Sequence, residues 1–171
     1  ANYRDTDLPK VINATLTKAG WTFIGWSGGA GANNTSAITI PLGVHANQTY
    51  HAVWSADPYT ITFNANGGTN PTIPSGWLGY DMTDLPINGV NVRPTRPGYT
   101  FAGWSGHGLT NEMSPFNITS STTGVPGNLT YSAGWTIIPY TITYNTNGGN
   151  TIASQAYNVT SPLITLPTPT Y

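Results

Sequence analysis

The chain has 171 residues, 6% of them charged, and a formal net charge of −1, where an ordinary soluble domain carries roughly 25% charged residues. Nucleic acid and anionic membrane surfaces call for clustered basic side chains, and Arg4, Lys10, Lys18, Arg93 and Arg96 are the whole supply, so both partners are set aside. The chain has no cysteine, which removes disulfides and thiolate metal sites, and no apolar run approaches a membrane span.

The apolar inventory is unusual. Leu, Ile, Val and Phe together number 33, while 6 Trp and 10 Tyr supply area that the aliphatic residues do not. Polarity comes from 28 Thr, 17 Asn and 11 Ser, residue types that suit strands, turns and solvated loops better than helices.

Taken from the N-terminus, the first strong element is "KAGWTFIGWSG" at 18–28, followed by a polar loop and the strand "QTYHAVW" ending at Trp54. Next comes "PYTITFNANGG" at 58–68, in which Tyr59, Ile61 and Phe63 alternate with Thr60 and Thr62 as one face of a strand. The loop "PSGWLGY", then "DLP" and the extended approach around Pro94 and Pro97, lead into "RPGYTFAGWSG" at 96–106. Segment 109–124 is the one place where a short helix is expected as an option. "LTYSAGW" closes at Trp135, and "PYTITYNTNGG" opens again at Pro139.

These phrases repeat. Two of them return at an offset of 81 residues and the glycine-tryptophan phrase at 78, so three extra residues lie between Trp104 and Tyr131. Residues 1–57 read as the back part of one repeat copy, 58–138 as a complete copy and 139–171 as the front part of a third. Each copy is about 80 residues, small enough that a single thin core carries it. The expected fold is strand-dominated, all-β to α+β, in tandem small modules, and the part copies predict a piece of a longer array.

The ordered phrases "YTITFNANGGT", "DLP", "RPTRPGYTFAGWS" and "NLTYSAGWT" resemble the Listeria–Bacteroides repeat, the B repeat of internalin-type surface proteins. The resemblance implies a β-grasp-like module, tandem in microbial cell-surface proteins, with a spacer or adhesive role and no catalytic residue set. It carries over structural marks, among them Tyr59, Phe63, Asn66, Gly68, Tyr99, Gly103, Trp104, Tyr131 and Trp135. Trp21 stands in the slot of Tyr99, and Val53 and Gly134 stand where the family often has Lys before the closing Trp.

Candidate chemistry is sparse, and the expectation is no enzyme and no cofactor. Asp81 and Asp84 are the nearest thing to a paired acid site, but Arg4 occupies the slot of Asp81 in the first copy, and a solvated turn accounts for both. His107 with Glu112 reads as loop decoration, and His45 and His51 have no second ligand close in sequence for zinc. Neither "GWSGG" nor "GWSGH" is read as a nucleophile elbow. "NANGG" and "NTNGG" could tempt a calcium reading at Asn66 or Asn147, but hard cations prefer carboxylates, and the turns need Asn-Gly for positive φ. Lys10 and Lys18 both fall in the first copy, so a repeat-wide isopeptide is ruled out.

Trp26, Trp54, Trp104 and Trp135 are expected in the core. Trp77 and Tyr80 are the candidate sugar contacts, the basis of the alternative reading as a carbohydrate-binding module. Asn13, Asn33, Asn34, Asn47, Asn117, Asn128 and Asn158 each open an N-x-[ST] triplet and are candidate glycosylation sites. The main expectation is a structural and adhesive repeat of an extracellular, cell-surface stalk or fibre. Its partners would be neighbouring repeats, copies of itself, and host or environmental glycans or proteins. The first copy lacks the opening strand that the third offers, so strand addition is expected.

Overall fold

The computed structural model describes residues 8–13, 16–32 and 35–170. Strands carry the fold: β1 (Lys10–Asn13), β2 (Trp21–Gly28), β3 (Ala37–Ile40), β4 (Tyr50–Ala56), β5 (Tyr59–Asn64), β6 (Gly79–Tyr80), β7 (Ile87–Val90), β8 (Tyr99–Gly106), β9 (Leu109–Glu112), β10 (Phe116–Ile118), β11 (Leu129–Ile137), β12 (Tyr140–Ile142) and β13 (Gln155–Tyr157). A 3-10 turn at Ser75–Trp77 is helical only in name, and no α-helix occurs among the described residues. The chain is strand-dominated, as its period-2 patterning requires.

The optional helix in 109–124 gives way to β9 and β10. Asn111 has φ of 50°, incompatible with a continuing helix. Further on, Phe116 and Ile118 are buried around an exposed Asn117, which is a strand's alternation.

Two compact units form, one from residues 1–61, 78–87 and 118–129, the other from 62–77, 88–117 and 130–171. In the first, β1 pairs antiparallel with β3 from Lys10 opposite Ile40 to Asn13 opposite Ala37. There too β2 pairs with β4, from Trp21 opposite Ala56 to Gly28 opposite Tyr50, with Ile24 bulged out between Phe23 and Gly25.

In the second, β8 pairs with β11 from Tyr99 opposite Ile137 to Ser105 opposite Ser132, and Ala102 is bulged out in the same way. β9 folds back on β8, and β12 pairs with β13. The two "GWSG" phrases therefore write the same thing twice: a bulged strand whose glycine follows the extra residue. At Gly103, φ is 125°, and a Cβ would lie 2.3 Å from the main chain of Asn111, so only glycine fits.

The five-stranded sheet has the order β6-β5-β11-β8-β9. β5 and β11 run in the same direction, because Thr60 N donates to Asn128 Oδ1 at their starts, while Asn66 Nδ2 donates to Ala133 O further along. Along β5, Ile61 and Phe63 are buried while Thr60 and Thr62 face out. Each such burial is worth about 1.5–3 kcal/mol.

Candidate functional site

The most elaborate constellation is an aromatic cluster built on β5, β8, β10 and β11. Trp104 is 0% exposed. Phe101 meets it edge to face at 5.4 Å and Phe63 at 5.3 Å, and Phe101 also meets Trp135 at 5.7 Å. Tyr131 stacks on Phe63 at 5.8 Å and takes Phe116 against its edge at 5.1 Å. Such offset and T-shaped pairs add about 0.5–1.5 kcal/mol each to their area burial.

The cluster's polar atoms are tied to main chain. Trp104 Nε1 donates to Val92 O at 2.8 Å, and the buried Ser114 Oγ donates to the same carbonyl at 2.8 Å, so both lone pairs of Val92 O are used. Arg93 Nη2 donates to Ser114 O. Trp135 Nε1 donates to Ala65 O at 3.0 Å and covers Gly68, whose added Cβ would lie 2.5 Å from that indole. Asn66 and Gly67 have φ of 47° and 84°, and Gly68 N closes the turn on Ala65 O. Asn147 and Gly148 repeat that turn with φ of 49° and 96°, closed by Gly149 N on Thr146 O.

The first copy builds part of the same cluster. Phe23 meets Trp26 at 5.5 Å and Trp54 at 5.3 Å, both edge to face. Lys18 lies over Trp21 at 3.7 Å, as Arg96 lies over Tyr99 at 3.9 Å. The exchange of Trp21 for Tyr99 thus keeps a cation on an aromatic face. The core placement expected of all four tryptophans holds in full only for Trp104; Trp26, Trp54 and Trp135 are half-buried. For Trp26 the physical reason is the absence, among the described residues, of a β5-type strand on β4.

The two candidate sugar contacts do not share a platform. Trp77 is half-buried at the end of its 3-10 turn, but Tyr80 is 4% exposed, with its ring 5.5 Å from Tyr59 and its hydroxyl donating to Gly127 O at 2.6 Å. A ring so covered offers no face to a sugar, which corrects the expectation for Tyr80. Burial also pushes its phenol pKa up, against the lowering effect of the Gly127 hydrogen bond.

Among the N-x-[ST] asparagines, Asn13, Asn47, Asn117 and Asn128 are exposed and Asn158 is half-buried; Asn33 and Asn34 lie outside the described residues. Asn117 Oδ1 accepts from Gly89 N at 2.8 Å and Asn128 Oδ1 from Thr60 N at 2.9 Å, so both are used as strand-bridging acceptors. Asn158 Oδ1 accepts from Thr160 N and Oγ1 in a local turn.

The acids are turn-makers. Asp81 Oδ1 accepts from Thr83 N and Oγ1, and Asp84 Oδ2 accepts from Asp81 N. The Thr83 bonds hold the Asp81 carboxyl below its ordinary pKa. His107 is more than loop decoration: with φ of 51° it accepts from Thr130 N at 2.9 Å and lies edge-on to Tyr131. Glu112 lies on β9 opposite Trp104. His51 is exposed on β4 opposite Ser27, and His45 is exposed in the loop before it. No group of three His, Asp or Glu side chains able to hold a metal occurs among the described residues.

"GWSGG" at 25–29 does spell the nucleophile-elbow pattern, contrary to the reading of that phrase above. Ser27 nevertheless sits inside β2 instead of on a strand-to-helix turn, and its Oγ donates to the main-chain oxygen of His51 at 3.4 Å. In the second copy, Ser105 faces Ser132 and its Oγ accepts from Asn111 N. In both copies the serine bonds to the main chain of a facing strand.

Val92 O and Ser114 were invisible to sequence reasoning. Main-chain acceptors carry no letter, and nothing in the sequence sets Ser114 apart from the other proline-adjacent serines, Ser75 and Ser161.

Two proteins of Evansella cellulosilytica are similar to the chain. One, named "Putative Gly-rich membrane protein", is 30% identical over 157 residues, covering 87% of this chain and 17% of that protein. The other, named "Putative membrane protein", is 29% identical over 107 residues, covering 63% and 15%. The chain thus spans about a sixth of the length of the relatives it matches. No helix among the described residues is long and apolar enough to cross a membrane. No solved structure matches the chain. The Listeria-Bacteroides repeat domain, a repeat typical of surface proteins, matches residues 59–130 and 140–171. The chain belongs to that repeat family.

Proposed function

We propose that the chain is a spacer and assembly module of an extracellular, cell-surface stalk or fibre, structural and adhesive in role and not catalytic. The observation that carries this reading is the double construction of one scaffold. Phe23, Trp26 and Trp54 repeat the edge-to-face geometry of Phe101, Trp104 and Trp135 to within 0.4 Å in centroid separation. Chemistry-bearing groups, by contrast, are not repeated: Gly29 stands in the slot of His107 and Ser132 in that of His51. What the chain copies is a tile.

The strand order β6-β5-β11-β8, with β5 and β11 side by side and co-directional, supports reading the tile as β-grasp-like. A spacer of this kind acts geometrically, each copy adding a fixed length. Proteins carrying one, two and three copies of the 171-residue chain in series test this by small-angle scattering. Equal increments in maximum dimension are expected. Increments that shrink towards those of a single globule would overturn the spacer reading.

A further inference from the structure

Two glycines and two turns recur where one copy of the repeat meets the next. Gly20 and Gly98 precede the aromatic strands β2 and β8 at the same place in the repeated phrase, with φ of 79° and 76°. Each is third in a tight turn, closed by Trp21 N on Lys18 O at 3.0 Å and by Tyr99 N on Arg96 O at 3.1 Å, the place where a type II turn favours glycine. The turn accounts for the glycine but not for what lies on it. A Cβ at Gly20 would come 2.6 Å from Met82 Cγ and 2.9 Å from Pro126 Cβ, and one at Gly98 would come 1.8 Å from Val159 Cγ1. In both places an apolar side chain from the following copy occupies the room that the glycine leaves.

We propose that this glycine is the socket, and the side chain of Met82 or Val159 the knob, of a joint that docks each copy of the repeat onto the next. This deepens the spacer reading and rests on it, since it names the surface that fixes one length of spacer to another and the partner that surface takes, the following copy.

The knobs are presented by one turn built twice. Tyr80 pairs with Tyr59 and Tyr157 with Tyr140, and Met82 and Val159 each stand two residues beyond that pairing. Asp81 Oδ1 accepts from Thr83 N and Oγ1, as Asn158 Oδ1 does from Thr160 N and Oγ1. Asp84 Oδ2 accepts from Asp81 N, as Ser161 Oγ does from Asn158 N. The second turn thus makes with an amide and a hydroxyl the bonds that the first makes with two acids. What the two turns share is a shape, and the side chain that takes no part in these bonds is the apolar one.

The covalent link is tied to the same glycine. Only Asp57 and Pro58 stand between β4 and β5, and only Ile138 and Pro139 between β11 and β12. Asp57 N donates to Gly20 O at 3.0 Å and Ile138 N to Gly98 O at 2.9 Å, and the proline that follows has its φ fixed by its ring. The family match begins at residues 59 and 140, directly after the prolines. Gly20, Met82 and Pro126 belong to one compact unit and Gly98 and Val159 to the other, so each compact unit spans a boundary between copies.

The absence of cysteine lets spin labels be placed at chosen pairs of sites. Labels on His51→Cys and Ser121→Cys, exposed residues on either side of the first joint and within one compact unit, are expected to give a narrow distance distribution by double electron–electron resonance. Labels on Thr100→Cys and Ser154→Cys, exposed residues on either side of the second joint, should do the same. Met82→Ser should broaden the first distribution and leave the second as it was, and Val159→Ser the reverse. Met82→Leu, which keeps the apolar bulk, should leave the first narrow. Should Met82→Ser also shift the tryptophan emission, Val159→Ser carries the test, because Val159 is 49% exposed and its turn is held by other residues. Broad distributions in the otherwise unaltered chain, or widths that respond to neither serine substitution, would overturn the joint. Either result leaves the spacer reading to its own test, since length increments in series do not depend on a stiff joint.

Discussion

Phe63 lies edge-on to Trp104 with 5.3 Å between ring centroids, and the first copy has no such partner for Trp26 among the described residues. One ring contributed by one strand separates a fully buried tryptophan from a half-buried one. Trp104→Ala should therefore cost about 3–5 kcal/mol, the range for emptying a packed aromatic site. Trp26→Ala should cost clearly less, because part of its surface already faces solvent. Urea unfolding of the two variants followed by tyrosine emission would rank them.

Gly103 and Gly68 are fixed by different physics and should respond differently. Gly103→Ala puts a side chain at φ of 125° against the Asn111 backbone, and backbone cannot be displaced as a side chain can. A loss of about 2–5 kcal/mol is expected, combining strain and overpacking. Gly68→Ala collides with the Trp135 indole and with Thr95 O, so a loss of about 1–3 kcal/mol is expected. The diagnostic reading is a shift in Trp135 fluorescence for Gly68→Ala.

Val92 O is shared by Trp104 Nε1 and Ser114 Oγ. Ser114→Ala removes one donor and leaves the carbonyl satisfied by the other, so the cost should be near the net value of one hydrogen bond, about 0.5–1.5 kcal/mol. Trp104→Phe with Ser114→Ala leaves the carbonyl buried and unpaired. The double variant should then lose more than the sum of the singles, which a double-mutant cycle measures.

Two groups give the stability a pH signature. The Asp81 carboxyl is held below its ordinary pKa by the Thr83 bonds, so its contribution is complete above the unfolded value and disappears as pH falls through the folded one. Tyr80 is shifted the other way by burial; its contribution is complete below the unfolded value and is lost as pH rises through the folded one. Asp81→Asn should flatten the acid limb of a melting-temperature profile, and Tyr80→Phe the alkaline limb.

Much of the fold was legible because its signals are local. Alternation in "YTITF" places Ile61 and Phe63 inside, and Asn-Gly-Gly places the turn, since both depend on neighbours within a few residues. The four repeated tryptophans share a phrase but not an environment. Trp26 and Trp104 have the same sequence surroundings, and their difference comes from β5, a strand about 40 residues from Trp104 in sequence. Tyr80 looked like a loop ring because its cover, Tyr59 and the Gly127 carbonyl, comes from distant segments. His107 looked idle because its partner is the main-chain amide of Thr130.

Exchange of the indole N–H protons in dilute, single-chain protein tests the central claim most directly, that a neighbouring β5 strand turns the repeated phrase into a closed aromatic core. Trp104 Nε1, buried and bonded to Val92 O, should exchange only on opening of the complete copy, and Trp26 Nε1, covered but without an acceptor among the described residues, measurably faster. Comparable exchange at the two indoles would contradict it.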